Sequence, residues 1–169
     1  MTVETLHDKF VYELQQLYFI ETELVDVLAT LEETTDDERI SEEFQKHQRT
    51  SADHARRLKG VFDVLNEEAE PRHSHAFEGI IEDRQAFLSA VDDNTDLVDL
   101  YNVGAAMKIE RLEITSYEGL LTHADELDLS NEATDPLENN LDDEKATLQS
   151  LEGITSGSTI QQLLARLTG

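Results

Sequence analysis

A chain of 169 residues with 38% apolar side chains is long enough for one domain with a sizeable core, and it holds no run near the ~20 apolar residues of a membrane span, so neither a membrane protein nor a disordered one is expected. The lack of cysteine removes disulfides, thiolate zinc sites, iron–sulfur clusters and cysteine catalysis together. Thirteen basic residues against 38 acidic ones give a formal charge of −25, and with no cluster of Lys or Arg there is no footprint for a nucleic-acid partner.

Two prolines and seven glycines punctuate the chain, a 3.6-residue hydrophobic period dominates and no convincing period-2 strand is evident, so the fold class is all-α. The opening "MTVETLHDKF" lacks the basic and apolar regions of a secretory signal, which makes cytoplasmic the expected location. A first long helix is predicted over about 3–33, on Phe10, Leu14, Leu17, Leu24, Leu28 and Leu31. "TTDDE" supplies a turn and cap, and a second helix runs over about 36–67, on Ile40, Phe44, Ala55, Leu58, Phe62 and Leu65. "EEAEPRHSH" breaks it at the proline.

A shorter helix over about 76–91 carries Phe77, Ile80, Ile81, Phe87 and Leu88. "DDNTD" ends it and caps a third long helix over about 96–125. The fourth spans about 131–152 on Leu137, Leu141, Leu148 and Leu151. "GITSGS" then precedes an amphipathic piece over about 158–167 with Ile160, Leu163, Leu164 and Leu167, which either docks on the bundle or mediates a dimer.

Short connections join the first and second long helices and the third and fourth, so each pair is an antiparallel hairpin. The segment between the pairs is long and carries its own helix, which suits a crossover travelling the ~45 Å length of the bundle and leaves the second and third long helices parallel. One long crossover is the ferritin-like topology, and residues 1–169 are expected to form a single ferritin-like four-helix-bundle domain.

Each long helix breaks its apolar pattern once, near its middle. Glu21 falls among Leu14, Leu17, Leu24 and Leu28, and Glu144 among Leu137, Leu141, Leu148 and Leu151. In "AAMKIERLEITSYEGLL" Glu110 projects within ~10° of the centre of the face set by Ala106, Met107, Ile114, Tyr117 and Leu121, with Glu113 on its shoulder. On the second helix His47, Ser51 and His54 interrupt the stripe. With the predicted directions, all four breaks fall within about two helical turns of one another.

Glutamates and histidines converging in a bundle have the composition of a metal site for Fe(II), Mn(II) or Zn(II), and a cation offsets the cost of burying carboxylates. A single seam Glu also suits an acid that snorkels outward or pairs with Arg39, Arg57 or Arg111, and a lone core His suits simple hydrogen bonding. Four coincident breaks at one level favour a shared site. Tyr117 reads first as core packing, Glu13 lies ~12 Å along the axis from Glu21, and His73, His75 and His123 read as solvated.

"FVYELQQLYFIETELVDVL", "FQKHQRTSADHARRLKGVF", "FEGIIED", "AAMKIERLEITSYEGLLTHADEL" and "LDDEKATLQSL" resemble successive blocks of the YciF-like (YciE/YciF) ferritin-like family. Tyr18-x-x-Glu21, Glu110-x-x-Glu113-x-x-x-Tyr117 and Glu144-Lys145-Ala146 are the most specific pieces. The resemblance implies a ferritin-like bundle, a homodimer, a dinuclear Fe or Mn centre with Zn as a further candidate, and ferroxidase-like activity in stress responses. By position it implies Glu21, Glu110, Glu113 and Glu144 as metal ligands. The second helix departs from the family pattern His-x-x-Glu-Thr, since it reads His47-Gln48-Arg49-Thr50-Ser51 with Thr50 where a ligand Glu is expected. Glu4/His7 and Glu70/His73 carry Glu-x-x-His spacing, but at a chain end and across Pro71. His54 is the first substitute and His47 the second.

Two functions therefore stand: a metal-binding protein that oxidises Fe(II) with oxygen or peroxide, and a non-enzymatic helical scaffold with a degraded or empty site. A third, an acidic decoy for a basic partner, is opposed by the even spread of acids. That spread reads instead as halophilic adaptation, in which self-repulsion is relieved by salt. The melting temperature should accordingly rise with added KCl, and a flat or falling trend in a thermal scan would exclude this reading.

Overall fold

The computed structural model describes residues 2–92 and 94–168; Met1, Gly169 and the Asp93 of the predicted "DDNTD" cap lie outside the described residues. Among the described residues six helices form: α1 (Leu6–Glu33), α2 (Glu38–Leu65), α3 (His75–Ala90), α4 (Thr95–Glu126), α5 (Asn131–Ser156) and α6 (Ser158–Thr168). The described residues contain no strand, and no helix among them is long and apolar enough to cross a membrane.

Local chemistry sets the helix ends that periodicity left imprecise. α1 starts at Leu6 rather than residue 3 because Thr5 and Asp8 make a reciprocal capping box, the Asp8 carboxylate accepting from Thr5 N at 2.9 Å and the Thr5 hydroxyl from Asp8 N at 3.1 Å. α2 ends on Asn66, whose φ of 56° lies in the left-handed region that stops a helix. α5 continues through Gly153 to Ser156. Its corner with α6 falls at Gly157, where a Cβ would stand 2.8 Å from the Gly153 carbonyl oxygen.

The direction of each helix follows from contacts between distant residues. Asp99, near the start of α4 and 1% exposed, accepts from Asp36 N at 3.0 Å and Asp37 N at 2.9 Å in the α1–α2 turn. α4 thus starts where α2 starts and runs parallel to it. The crossover climbs the outside of α1: Arg72 N donates to Gln15 O, the Phe77 ring meets Phe19 edge-on, and Arg84 Nη2 donates to Thr34 at the far end. Arg84 is buried and also donates through Nε to Asn102 at 2.8 Å, which ties α3 to α4. The result is a four-helix bundle with one long crossover, as expected for the ferritin-like topology.

The interior is divided in two. One apolar cluster holds Phe10, Leu14, Leu17, Leu58, Phe62, Leu120, Leu137 and their neighbours. The other holds Leu24, Leu28, Leu31, Ile40, Phe44, Ile109 and Leu151. α6 docks on its own bundle, with Ile160 and Leu163 buried in the second cluster and Arg166 paired with Asp96 of α4.

Asp99 holds the two hairpins in register through two part-buried hydrogen bonds from backbone amides to its carboxylate. Asp99→Ala should lower unfolding stability by about 2 kcal/mol, read from the urea midpoint at unchanged slope.

Candidate metal centre

Between the two apolar clusters lies a polar layer to which every long helix contributes. α1 supplies Glu21 and α5 supplies Glu144, each 0% exposed. α2 supplies His47, Ser51 and His54, spaced to share one face and all buried. α4 supplies Glu110, Glu113 and Tyr117, each 0% exposed.

The side chains meet closely. His54 Nδ1 lies 2.8 Å from Glu144 Oε1 and 3.2 Å from Glu21 Oε1, and His47 Nε2 lies 2.9 Å from Glu110 Oε1. One donor set comprises His47, Glu110, Glu113 and Glu144, another Glu21, His54 and Glu144, and within each set the candidate donor atoms lie within 4.8 Å of one another. Glu144 belongs to both.

Proximity is not satisfaction here. Both oxygens of Glu110, Glu113 and Glu144, one of Glu21, both nitrogens of His47 and Nδ1 of His54 are buried without an aligned hydrogen bond. The short His–Glu separations are close in distance but off the donor direction. Such orphaned groups are costly and rare in folded proteins, and oxygen and imidazole donors in this number suit Fe(II), Mn(II) or Zn(II). The residues present fit a metal.

The electrostatics describe the same strain. Burial and the nearby charges of Glu144 and Glu21 push the Glu110 and Glu113 carboxyls well above the usual range. Burial and Glu144 raise Glu21 to about 7 against the opposing pull of His54. Burial works against a charged His54, but its contacts with Glu144 and Glu21 outweigh it and raise the ring to about 10. His47 is lowered, because burial exceeds the attraction of Glu144 and Glu21. Glu144 is lowered despite burial, held ionised chiefly by His54. Burial and mutual repulsion thus favour the protonated forms of Glu110, Glu113 and Glu21, while His54 favours the ionised form of Glu144; a divalent cation would favour ionised carboxylates throughout.

The structure brings together Glu21, His47, His54, Glu110, Glu113 and Glu144. It corrects their placing on α4: Met107 and Ile114 are half-buried, and the buried face runs through Ala106, Glu113, Tyr117 and Ala124. Glu113 is thus the more central acid, because the buried face is set by Val103, Ala106, Ile109, Tyr117, Leu120 and Ala124 rather than by Met107, Ile114 and Leu121. Tyr117 is more than packing, since its hydroxyl donates to Glu21 Oε1 at 2.5 Å. Thr50 is half-buried, outside both donor sets, and its hydroxyl donates to Lys46 O at 3.3 Å on its own helix.

Two of the arginines that could have paired with the seam acids go elsewhere: Arg57 turns to Asp143 at 2.7 Å and Arg111 to Glu152 at 2.7 Å. Glu13 stands apart, with Lys9 at 2.6 Å and His123 at 3.2 Å, so His123 is part-buried in an ion-paired cluster rather than simply solvated. His73 and His75 are exposed and meet Glu78. Glu4 and Glu70, with their exposed or peripheral histidines His7 and His73, lie outside both sets. Asn140 was not singled out in the sequence; its signal is a polar side chain one turn before Glu144 in the same seam.

The family described as "Domain of unknown function (DUF892)" matches residues 5–164. Protein YciF of Escherichia coli (strain K12) is 30% identical over 148 residues, covering 87% of this chain and 88% of YciF. The crystal structure titled as that of the E. coli stress protein YciF superposes with a TM-score of 0.82 at 29% identity, covering 90% of this chain and 95% of that one. YcfI of Rhodopseudomonas palustris shares the fold, with a TM-score of 0.84 at 24% identity over 89% of this chain and 94% of the other.

Because the folded-state carboxyl of Glu113 is held above its unfolded value, the native state binds that proton more tightly. The associated stability is intact below the ordinary carboxylate range and is lost progressively as pH rises from that range through the raised folded value. Glu113→Gln, which mimics the protonated form, should stabilise the metal-free protein at pH 7 by on the order of 1 kcal/mol or more, and by nearly nothing at pH 4. Paired urea titrations at the two pH values measure the difference.

Proposed function

The chain belongs to the DUF892 family and is related to YciF over most of its length, and from that premise we propose that it is a metal-binding protein that oxidises Fe(II) with oxygen or peroxide under stress. The observation that carries this is the layer of buried carboxylate and imidazole atoms left without hydrogen bonds between two apolar cores. The stress setting is supported by the description of the E. coli relative.

In this reading His47, Glu110, Glu113 and Glu144 would hold one ion and Glu21, His54 and Glu144 a second, with Glu144 common to both sets. Iron or manganese, when bound, supplies the one-electron chemistry. The protein side is a donor set rich in carboxylates, which favours the higher oxidation state, buried between two apolar clusters. The Glu21 set would offer three protein donors and the His47 set four.

The rival reading is a helical scaffold with a degraded site, and the observation in its favour is Thr50. α2 presents two histidines to the layer and no carboxylate, with Thr50 bonded back to its own helix. A scaffold of this kind would bind no metal until Thr50→Glu restored an acid.

Elemental analysis of protein purified from iron- and manganese-supplemented medium separates the two. We expect bound metal and a melting temperature raised by it. Glu144→Ala should abolish binding, because Glu144 serves both donor sets, whereas Glu113→Ala should retain one ion. Absence of metal together with unaltered stability on adding Fe(II) or Mn(II) would rule the proposal out.

A further inference from the structure

Glu21 and His54 sit in one closed ring of contacts whose other members are not candidate ligands. Asn140 is 0% exposed, and its amide nitrogen donates to the Tyr117 hydroxyl at 2.8 Å and to His54 O at 3.4 Å. Its oxygen accepts from Arg57 Nη1 at 2.9 Å. The same Nη1 donates to Asp143 Oδ2 at 2.7 Å, and Asp143 Oδ2 in turn accepts from His54 Nε2 at 3.3 Å. From the other side Tyr117 donates to Glu21 Oε1, which lies 3.2 Å from His54 Nδ1 and so closes the ring.

Packing alone does not call for this arrangement. A buried amide and phenol are costly unless bonded, and apolar residues of like shape would fill the space at no such cost. The ring does what apolar packing cannot. An ionised carboxylate can only accept, so Asp143 keeps a proton on His54 Nε2 and leaves Nδ1 on the side of Glu144 and Glu21, 2.8 and 3.2 Å away but in an aligned hydrogen bond with neither. His47 has no such partner on either nitrogen.

We propose that Arg57, Asn140 and Asp143 are positioning residues that preset Glu21 and His54 for a metal ion, with Nδ1 the ligand nitrogen of His54. Arg57 is the keystone, because one Nη1 serves both arms: Asn140 and Tyr117 toward Glu21, and Asp143 toward His54. The inference rests on the metal-binding reading above.

Zinc(II), which is diamagnetic, is the probe. Its affinity is measured by competition with a chromophoric chelator for the unmodified protein, for Arg57→Met and for Arg166→Met. The last breaks an exposed ion pair of α6 with Asp96 and removes the same charge. Arg57→Met should weaken zinc binding by about 10- to 100-fold, with Arg166→Met unchanged. Long-range proton–nitrogen spectra of the zinc-loaded unmodified protein should show His54 protonated on Nε2 and metal-bound at Nδ1, a signature that a merely structural role would not fix. Equal affinities for the two variants, or zinc on Nε2, would overturn the inference while leaving the metal reading intact. Failure of the unmodified protein to bind zinc, iron or manganese would overturn both.

Discussion

Burial of four glutamates at one level of a helical bundle is the constraint around which the molecule is arranged. A carboxylate in such a place costs several kcal/mol unless a charge or well-directed hydrogen bonds compensate it. Two histidines provide part of the compensation, and protonation of Glu110 and Glu113 a further part. What remains is a layer of polar atoms without partners, and stability has to come from the apolar clusters on either side. The protein carries in its centre an interaction that its own residues leave incomplete.

The fold is the device that makes four helices deliver their polar residues to one level. Glu21 and the α2 histidines sit at similar distances from the α1–α2 turn, and Glu110, Glu113 and Glu144 do so from the α4–α5 turn. Only the crossover makes these two levels coincide. Asp99 fixes the start of α4 against the α1–α2 turn, and Arg84 fastens α3 to both Thr34 and Asn102. An axial slip of one turn, ~5.4 Å, would part His54 from Glu144 and Tyr117 from Glu21. Buried polar contacts at the top of the bundle thus serve the geometry of its middle.

The high acidity belongs to a different level of organisation. Most of the acids are on the outside, where solvent and salt screen them. The few inside are set apart by their surroundings rather than by their chemistry, as the contrast between Glu144 and Glu113 shows. Both are fully buried glutamates, yet His54 lowers the pKa of the first while desolvation and three neighbouring acids raise that of the second.

The sequence by itself determined the helical class, the four long helices with their crossover, and the six residues that meet in the layer, because helix period and loop length are local properties written directly in residue order. It placed Glu113 on a shoulder and Tyr117 in the packing, since hydropathy ranks a helix face without knowing what lies opposite. Docking of α6 was equally open until Ile160 and Leu163 met Leu151 and the α1–α2 end of the core. Which nitrogen of His54 faces the acids, which carboxylate is shared, and how Arg57 and Asn140 reach Glu21 were decided by the tertiary structure alone. Those are relations between side chains on different helices, fixed by rotation and axial level once the bundle packs, and no spacing along one helix encodes them.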